Sequence, residues 1–179
     1  AQEVFEGLKA YKHDDGKVWL FRAEKNMERF NLSSSRMAIP EVPPKLFMEA
    51  IEAVSALCVE HTPKETGHSL YLRPFSIATE EDLGVKPSEN YKFVVIASPS
   101  GSYFQKESVP VFVEQEFTRA CTGGIGNAKT GGNYAASLIA ANVAKKAGYL
   151  MTLWLDAYEK RFVEELSGMN FFCVINGEV

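Results

Sequence analysis

Between Gly123 and Gly132 the chain carries five glycines in ten residues, in the order Gly-Gly-Ile-Gly-Asn-Ala-Lys129-Thr-Gly-Gly. No other stretch restricts the fold as sharply. Glycine reaches conformations closed to other residues and lets backbone approach a neighbour closely, so this segment must bend tightly or sit against something. Asn133 to Ala147 follows as a predicted helix, and its Ala135, Ala136, Ala140, Ala141 and Ala144 leave room for a close neighbour. A lysine in such a loop invites comparison with phosphate-binding motifs. A phosphate loop needs Gly immediately before the Lys, and Ala128 stands there. A dinucleotide fingerprint needs a third glycine where Lys129 stands, so it fails as well. On residues alone, a tight loop with a solvated lysine and a loop that presents the lysine to a ligand both remain open.

The rest of the chain alternates strands and helices. Glu6 to Lys12 can form a strand, Asp14-Asp15-Gly16 reads as a turn, and Lys17 to Arg22 as the return strand. Helical spacing predicts helices over Ala23 to Arg36 and after Pro43-Pro44, where Phe47, Ile51, Val54 and Cys58 form one apolar stripe. Ser69 to Phe75 reads as a strand with Leu70 and Leu72 on one face and Tyr71 and Arg73 on the other. Tyr91 to Ala97 is nearly all apolar and reads as an interior strand. Ser98 to Ser102 breaks the pattern and suggests a linker between lobes. Further strands are expected over Val109 to Glu114, Leu150 to Leu155, Phe162 to Glu165 and Asn170 to Ile175. Asn176-Gly177 is a hairpin signal whose return strand would begin at Glu178-Val179, so the chain reads as incomplete.

Composition removes several function classes. The net charge of −4 gives no electrostatic reason to bind nucleic acid or an anionic membrane. No apolar stretch reaches the roughly 18 residues of a membrane span. Cys58, Cys121 and Cys173 form no ligand pattern and read as isolated buried thiols. His13, His61 and His68 lack zinc-type spacing and read as surface or loop residues, so no metal is expected.

Several blocks, in order, resemble one family. AKTGGNYAAS around Lys129 resembles the cofactor-lysine segment of branched-chain amino-acid aminotransferases, which are pyridoxal-phosphate enzymes of fold type IV. VFEGLKAY from Val4, FRAEKNMERFNLSSSRMAIP from Phe21, YLRPF from Tyr71, SPSGSYF from Ser98 and EELSGMNFF from Glu164 resemble it too. The resemblance implies a two-lobe α/β fold, with a small lobe over residues 1–99, a linker over 100–107 and the start of a larger, barrel-like lobe over 108–179. It also implies a homodimer, a cytoplasmic location, and missing segments before and after the chain. These 179 residues alone would then be inactive.

The implied cofactor is pyridoxal 5'-phosphate, and the implied reaction moves an amino group between leucine, isoleucine or valine and 2-oxoglutarate. Lys129 would anchor the cofactor and carry the proton. Glu165 would pair with the pyridine nitrogen, while Glu164 would face the other way on a regular strand. Arg29 resembles the phosphate-binding arginine. Tyr134 resembles the tyrosine at the phenolic oxygen, and Arg119 has a counterpart near the cofactor in some members. On the substrate side, Phe5 resembles an aromatic wall and Tyr71 a contact to the substrate carboxylate region. Arg73 resembles a partner for the distal carboxylate of glutamate, and Tyr103 an aromatic that closes over the pocket. Leu166-Ser167-Gly168-Met169-Asn170 departs from the commoner Val-Gly-Thr-Met-Asn, but Glu, Met and Asn keep their places. A D-amino-acid aminotransferase or an aminodeoxychorismate lyase of the same fold, and a non-catalytic fragment, are the alternative expectations.

Overall fold

The computed structural model describes residues 2–101 and 108–179. It divides into two compact units. The first comprises Ala1–Gln105 together with Asn127–Thr130, and the second comprises Lys106–Gly126 and Gly131–Val179.

The first unit is built on a five-stranded sheet of β1 (Glu3–Phe5), β2 (Leu8–Lys12), β3 (Val18–Leu20), β4 (Ser69–Ala78) and β5 (Tyr91–Ser100). β1 and β2 lie end to end along the same side of β4, with Phe5 opposite Phe75 and Leu8 opposite Leu72. The register is continuous across the gap, and Glu6 N–H still donates to the Pro74 carbonyl at 2.8 Å. Proline has no N–H to return that bond, so the ladder is broken at Glu6-Gly7. The strand predicted over Glu6 to Lys12 is therefore formed only from Leu8, and β1 ahead of it was not read from the pattern. β5 pairs with β4 over its whole length and with no other strand among the described residues. It is an edge strand with Ile96 exposed, not the interior strand its apolar run predicted. A short apolar run cannot by itself distinguish the two. β5 also runs through Ser98, Pro99 and Ser100, which read as loop from their composition.

Two helices cover one face of this sheet. Helix α1 (Ala23–Arg36) begins after Arg22, whose φ of 51° turns the chain out of β3. Helix α2 (Pro44–Leu57) starts with proline in its first turn, where the missing N–H costs no helical bond. Leu70 and Leu72 of β4 point to the helices and are buried, together with Phe30, Phe47 and Ile51. The rings of Phe30, Phe47 and Phe93 pack against one another with centroids 5.3–5.7 Å apart. Tyr71 and Arg73 take the opposite, half-buried face, as strand alternation requires.

The second unit has a three-stranded sheet. β6 (Val111–Glu114) runs parallel to β7 (Met151–Leu155), joined through helix α3 (Gly131–Lys146), and β8 (Val163–Leu166) returns antiparallel to β7. Ala140 and Ala144, one helical turn apart, are the buried face of α3. Trp154 is buried and donates its indole N–H to the Ser167 carbonyl at 3.0 Å. Residues 170–175 form no strand. Only Ile175 bridges to Glu178, across Asn176 and Gly177, which both have positive φ as the Asn-Gly turn demands. Cys121 and Cys173 are exposed and Cys58 is half-buried, which corrects the expectation of three buried thiols. Cys121 sits just ahead of the glycine-rich loop and Cys173 beyond the last strand, both outside regular elements. No helix among the described residues is long and apolar enough to cross a membrane.

Candidate functional site

In the first unit the site residues gather along β1. Asn127–Thr130 lies along the outer edge of that strand. Phe5 N–H donates to the Lys129 carbonyl at 3.0 Å, and the Thr130 hydroxyl donates to the Glu3 carbonyl at 2.7 Å. On its other side Lys129 N–H donates to the hydroxyl of Ser33, a buried residue of α1, at 2.9 Å. The backbone of Lys129 is thus tied to a strand and a helix at once. Its flanks Ala128 and Thr130 are buried, while the lysine itself is half-buried.

The Lys129 ammonium lies 4.7 Å from the centroid of the Phe5 ring. The Arg73 guanidinium lies 4.4 Å from the same ring. Arg73 also donates to the Tyr71 hydroxyl, at 2.7 Å from Nη2 and 3.2 Å from Nε. Gly7 sits opposite Arg73 in the β1–β2 line, and a Cβ there would come within 2.2 Å of the Tyr71 hydroxyl. The glycine of Phe-Glu-Gly is therefore required by the tyrosine that leans across it. An amine, an aromatic ring, a guanidinium and a phenol thus share one patch, made by Lys129, Phe5, Arg73 and Tyr71.

Arg29 of α1 has a partly exposed side chain that is ion-paired with the buried carboxylate of Glu6. Arg29 and Ser33 are four residues apart, so they are neighbours on one helix face. Glu6, Asn26 and Ser33 were not singled out from the sequence. The signals were present: an acid inside Phe-Glu-Gly, and polar residues at helical spacing from Arg29. Tyr103 lies outside the described residues.

In the second unit Glu165 is ion-paired with Arg119, and both side chains are largely enclosed, at 28% and 14% exposure. Glu164, its neighbour on β8, is exposed. Arg119 also donates from Nη1 to the Gly126 carbonyl at 3.2 Å. A Cβ on Gly126 would fall 2.5 Å from the Ala120 Cβ, which is why the loop needs glycine at that position. Tyr134, in the first turn of α3, packs against Gly168, where a Cβ would come 3.2 Å from its ring. Arg119 and Glu165 thus touch each other, and Tyr134 lies against the turn that follows β8.

Each unit, taken by itself, presents its own set of polar groups. The first supplies a primary amine and an arginine, and the second supplies a carboxylate held by a cation and a phenol.

The sequence profile of the class IV amino-transferases matches residues 3–179, and the chain belongs to that family. It is 53% identical over 180 residues to branched-chain-amino-acid transaminase 1 of Bacillus subtilis, covering 99% of this chain and 51% of that protein. It is 49% identical to a branched-chain-amino-acid aminotransferase of Mycobacterium tuberculosis, covering 98% and 48%. The branched-chain amino acid aminotransferase of Escherichia coli superposes with a TM-score of 0.78 at 27% identity, covering 98% of this chain and 56% of that one. The T.th. enzyme solved with pyridoxamine 5'-phosphate gives 0.78 at 30% identity, covering 98% and 57%. The fold is that of the type IV aminotransferases, and the chain spans about half the length of the relatives it matches.

Proposed function

We propose that this chain is the part of a pyridoxal-phosphate-dependent branched-chain amino-acid aminotransferase that carries the cofactor lysine. The reaction is amino transfer from leucine, isoleucine or valine to 2-oxoglutarate, in a homodimeric enzyme of the cytoplasm. The observation that carries the reading is the Phe5 patch, where a backbone-pinned Lys129 and the Arg73 guanidinium share one aromatic wall. The relatives' names and the pyridoxamine 5'-phosphate in one solved neighbour support the substrate class and the cofactor.

When bound, pyridoxal 5'-phosphate supplies an aldehyde carbon for the amino group and a ring that accepts the charge left at Cα. Lys129 provides the amine that anchors it, removes the Cα proton and delivers it to the former aldehyde carbon. Glu165, held by Arg119, keeps a proton on the ring nitrogen. Arg29 takes the phosphate and Tyr134 the phenolic oxygen. Phe5 forms a wall for the branched side chain, and Tyr71 contacts the carboxylate region. Arg73 accepts the distal carboxylate of glutamate. A branch and a carboxylate can share one pocket because the guanidinium lies over an aromatic ring, 4.4 Å from its centroid, setting a charged group beside an apolar wall.

Borohydride reduction of the full-length protein loaded with pyridoxal phosphate, followed by peptide mapping, tests the assignment. The label is expected on Lys129. A label on Lys145 or Lys146 would refute it. Lys129→Ala is expected to abolish both the label and transamination.

A further inference from the structure

VFEGLKAY places an acid where β1 gives way to β2, and that acid is fully buried. Strand alternation sends Phe5 toward Arg73 and Glu6 the other way, toward α1. A carboxylate withdrawn from water is costly unless its lone pairs find donors. Glu6 finds them. Arg29 donates from Nε to Oε1 and from Nη2 to Oε2, the latter at 2.9 Å. Asn26 Nδ2 donates to Oε2 at 3.0 Å, and the Gly7 N–H does so at 2.9 Å. Asn26 donates further to the Gly7 carbonyl at 3.3 Å. Asn26, Arg29 and Ser33 follow one stripe of α1, three and then four residues apart, and Ser33 holds the backbone of Lys129.

The two members of the ion pair are unequally placed. The Glu6 side chain is 0% exposed and that of Arg29 is 55% exposed. Here the carboxylate is inside and the guanidinium reaches solvent. A planar guanidinium can bind an anion on each of two edges. Glu6 takes the Nε–Nη2 edge.

We infer that Glu6 is a positioning residue that clamps Arg29 in one orientation for a phosphate dianion, on the helix face that also fixes Lys129. This rests on the cofactor reading above. Glu6 opposes part of the guanidinium charge, so what it adds for phosphate is orientation. A cation already held still gives up less freedom on binding than a mobile surface arginine does.

The test uses the full-length protein stripped of cofactor, with binding of pyridoxal 5'-phosphate and of unphosphorylated pyridoxal measured by equilibrium dialysis. Glu6→Gln keeps the shape but sets an NH2 group among N–H donors. It is expected to weaken pyridoxal phosphate by roughly tenfold or more, with pyridoxal binding held within about threefold. In an Arg29→Ala background, Glu6→Gln should change neither further, because the two act as one unit. Equal weakening of both compounds, or an effect that adds to Arg29→Ala, would overturn the inference and leave Glu6 a structural residue. Should Glu6→Gln not fold, Asn26→Ala decides, since it removes one donor to the same carboxylate from a half-buried position. A reduced phosphate preference supports the clamp, and an unchanged preference overturns it. A wild-type protein that binds neither compound, by contrast, refutes the cofactor reading itself.

Discussion

The two units hold their candidate residues by different means. In the first, the residues stand on a sheet whose other face is packed by two helices and a three-ring aromatic cluster. Lys129 is braced by backbone and hydroxyl bonds to β1 and α1, so its position follows from the core beneath it. In the second, the described core is smaller. Leu138, Ile139 and Val143 of α3 are exposed, as are Phe172, Val174 and Ile175. There the candidate residues are placed by an ion pair, Arg119 to Glu165, and by glycine contacts at Gly126 and Gly168. Substitutions in the first unit should therefore act through packing and substrate contact, and those in the second through charge and loop geometry.

The largest effect expected after loss of Lys129 lies in the second unit. Glu165→Gln should leave pyridoxal phosphate bound but slow turnover by on the order of a hundredfold or more, because an amide cannot keep the ring nitrogen protonated. It also leaves the enclosed Arg119 facing a neutral partner, so some loss of stability is expected with it. Steady-state kinetics with leucine, beside a thermal melt, separates the two. Turnover equal to wild type would mean that the carboxylate does not serve the ring.

The contrast in packing predicts a second gap. Phe47 is fully buried against Phe30 and Phe93, and Phe47→Ala should cost about 3–5 kcal/mol. Leu138→Ala, at a position 61% exposed, should cost no more than about 0.5 kcal/mol. Urea unfolding of the full-length protein measures both. A cost at Leu138 comparable to that at Phe47 would show that another surface covers this side of α3.

In the first unit, Arg73→Ala should harm glutamate and 2-oxoglutarate more than leucine. Losing one charge-assisted contact costs about 2–3 kcal/mol, or roughly 30- to 150-fold in kcat/KM for the acidic partner. Equal losses for both donors would assign Arg73 to structure, through its bonds to Tyr71 and its stacking on Phe5.

Much of this arrangement was legible in the sequence where periodicity carried it. α1 spans the residues its pattern marks, α2 buries Phe47 and Ile51, and the Leu70/Leu72 against Tyr71/Arg73 alternation holds. What failed depended on partners distant in the chain. β5 reads as interior from composition, yet its edge position is decided by which strands flank β4. Residues 170–175 have strand-like composition but find no ladder among the described residues. The buried pairing of Glu6 with Arg29 spans 23 residues of separation, and no local pattern encodes it. The family resemblance marked Phe-Glu-Gly as a block without saying what its acid touches.

The smallest effect concerns the connection between β7 and β8, where one carboxylate organises a whole loop. Asp156 Oδ1 accepts N–H bonds from Phe162 at 2.9 Å and Arg161 at 2.7 Å, and Oδ2 accepts from Glu159 at 2.6 Å and Tyr158 at 3.2 Å. These backbone donors, Phe162 first, hold its pKa well below the ordinary carboxylate range. A depressed carboxylate contributes stability above its unfolded pKa of about 4, and that contribution is lost as the pH falls through the lower folded value. Asp156→Ala should therefore speed amide hydrogen exchange at Tyr158, Glu159, Arg161 and Phe162 by a few-fold to roughly tenfold near neutral pH. The difference from wild type should shrink once the pH is brought well below 4, as the native carboxylate begins to take up its proton. The effect should stay within the loop, because Asp156 is partly exposed and its partners are all within six residues. Leucine turnover is expected to stay near wild type. A large fall would show that this loop, through Val163 and the strand it leads into, sets the position of Glu165 more firmly than its ion pair with Arg119 does.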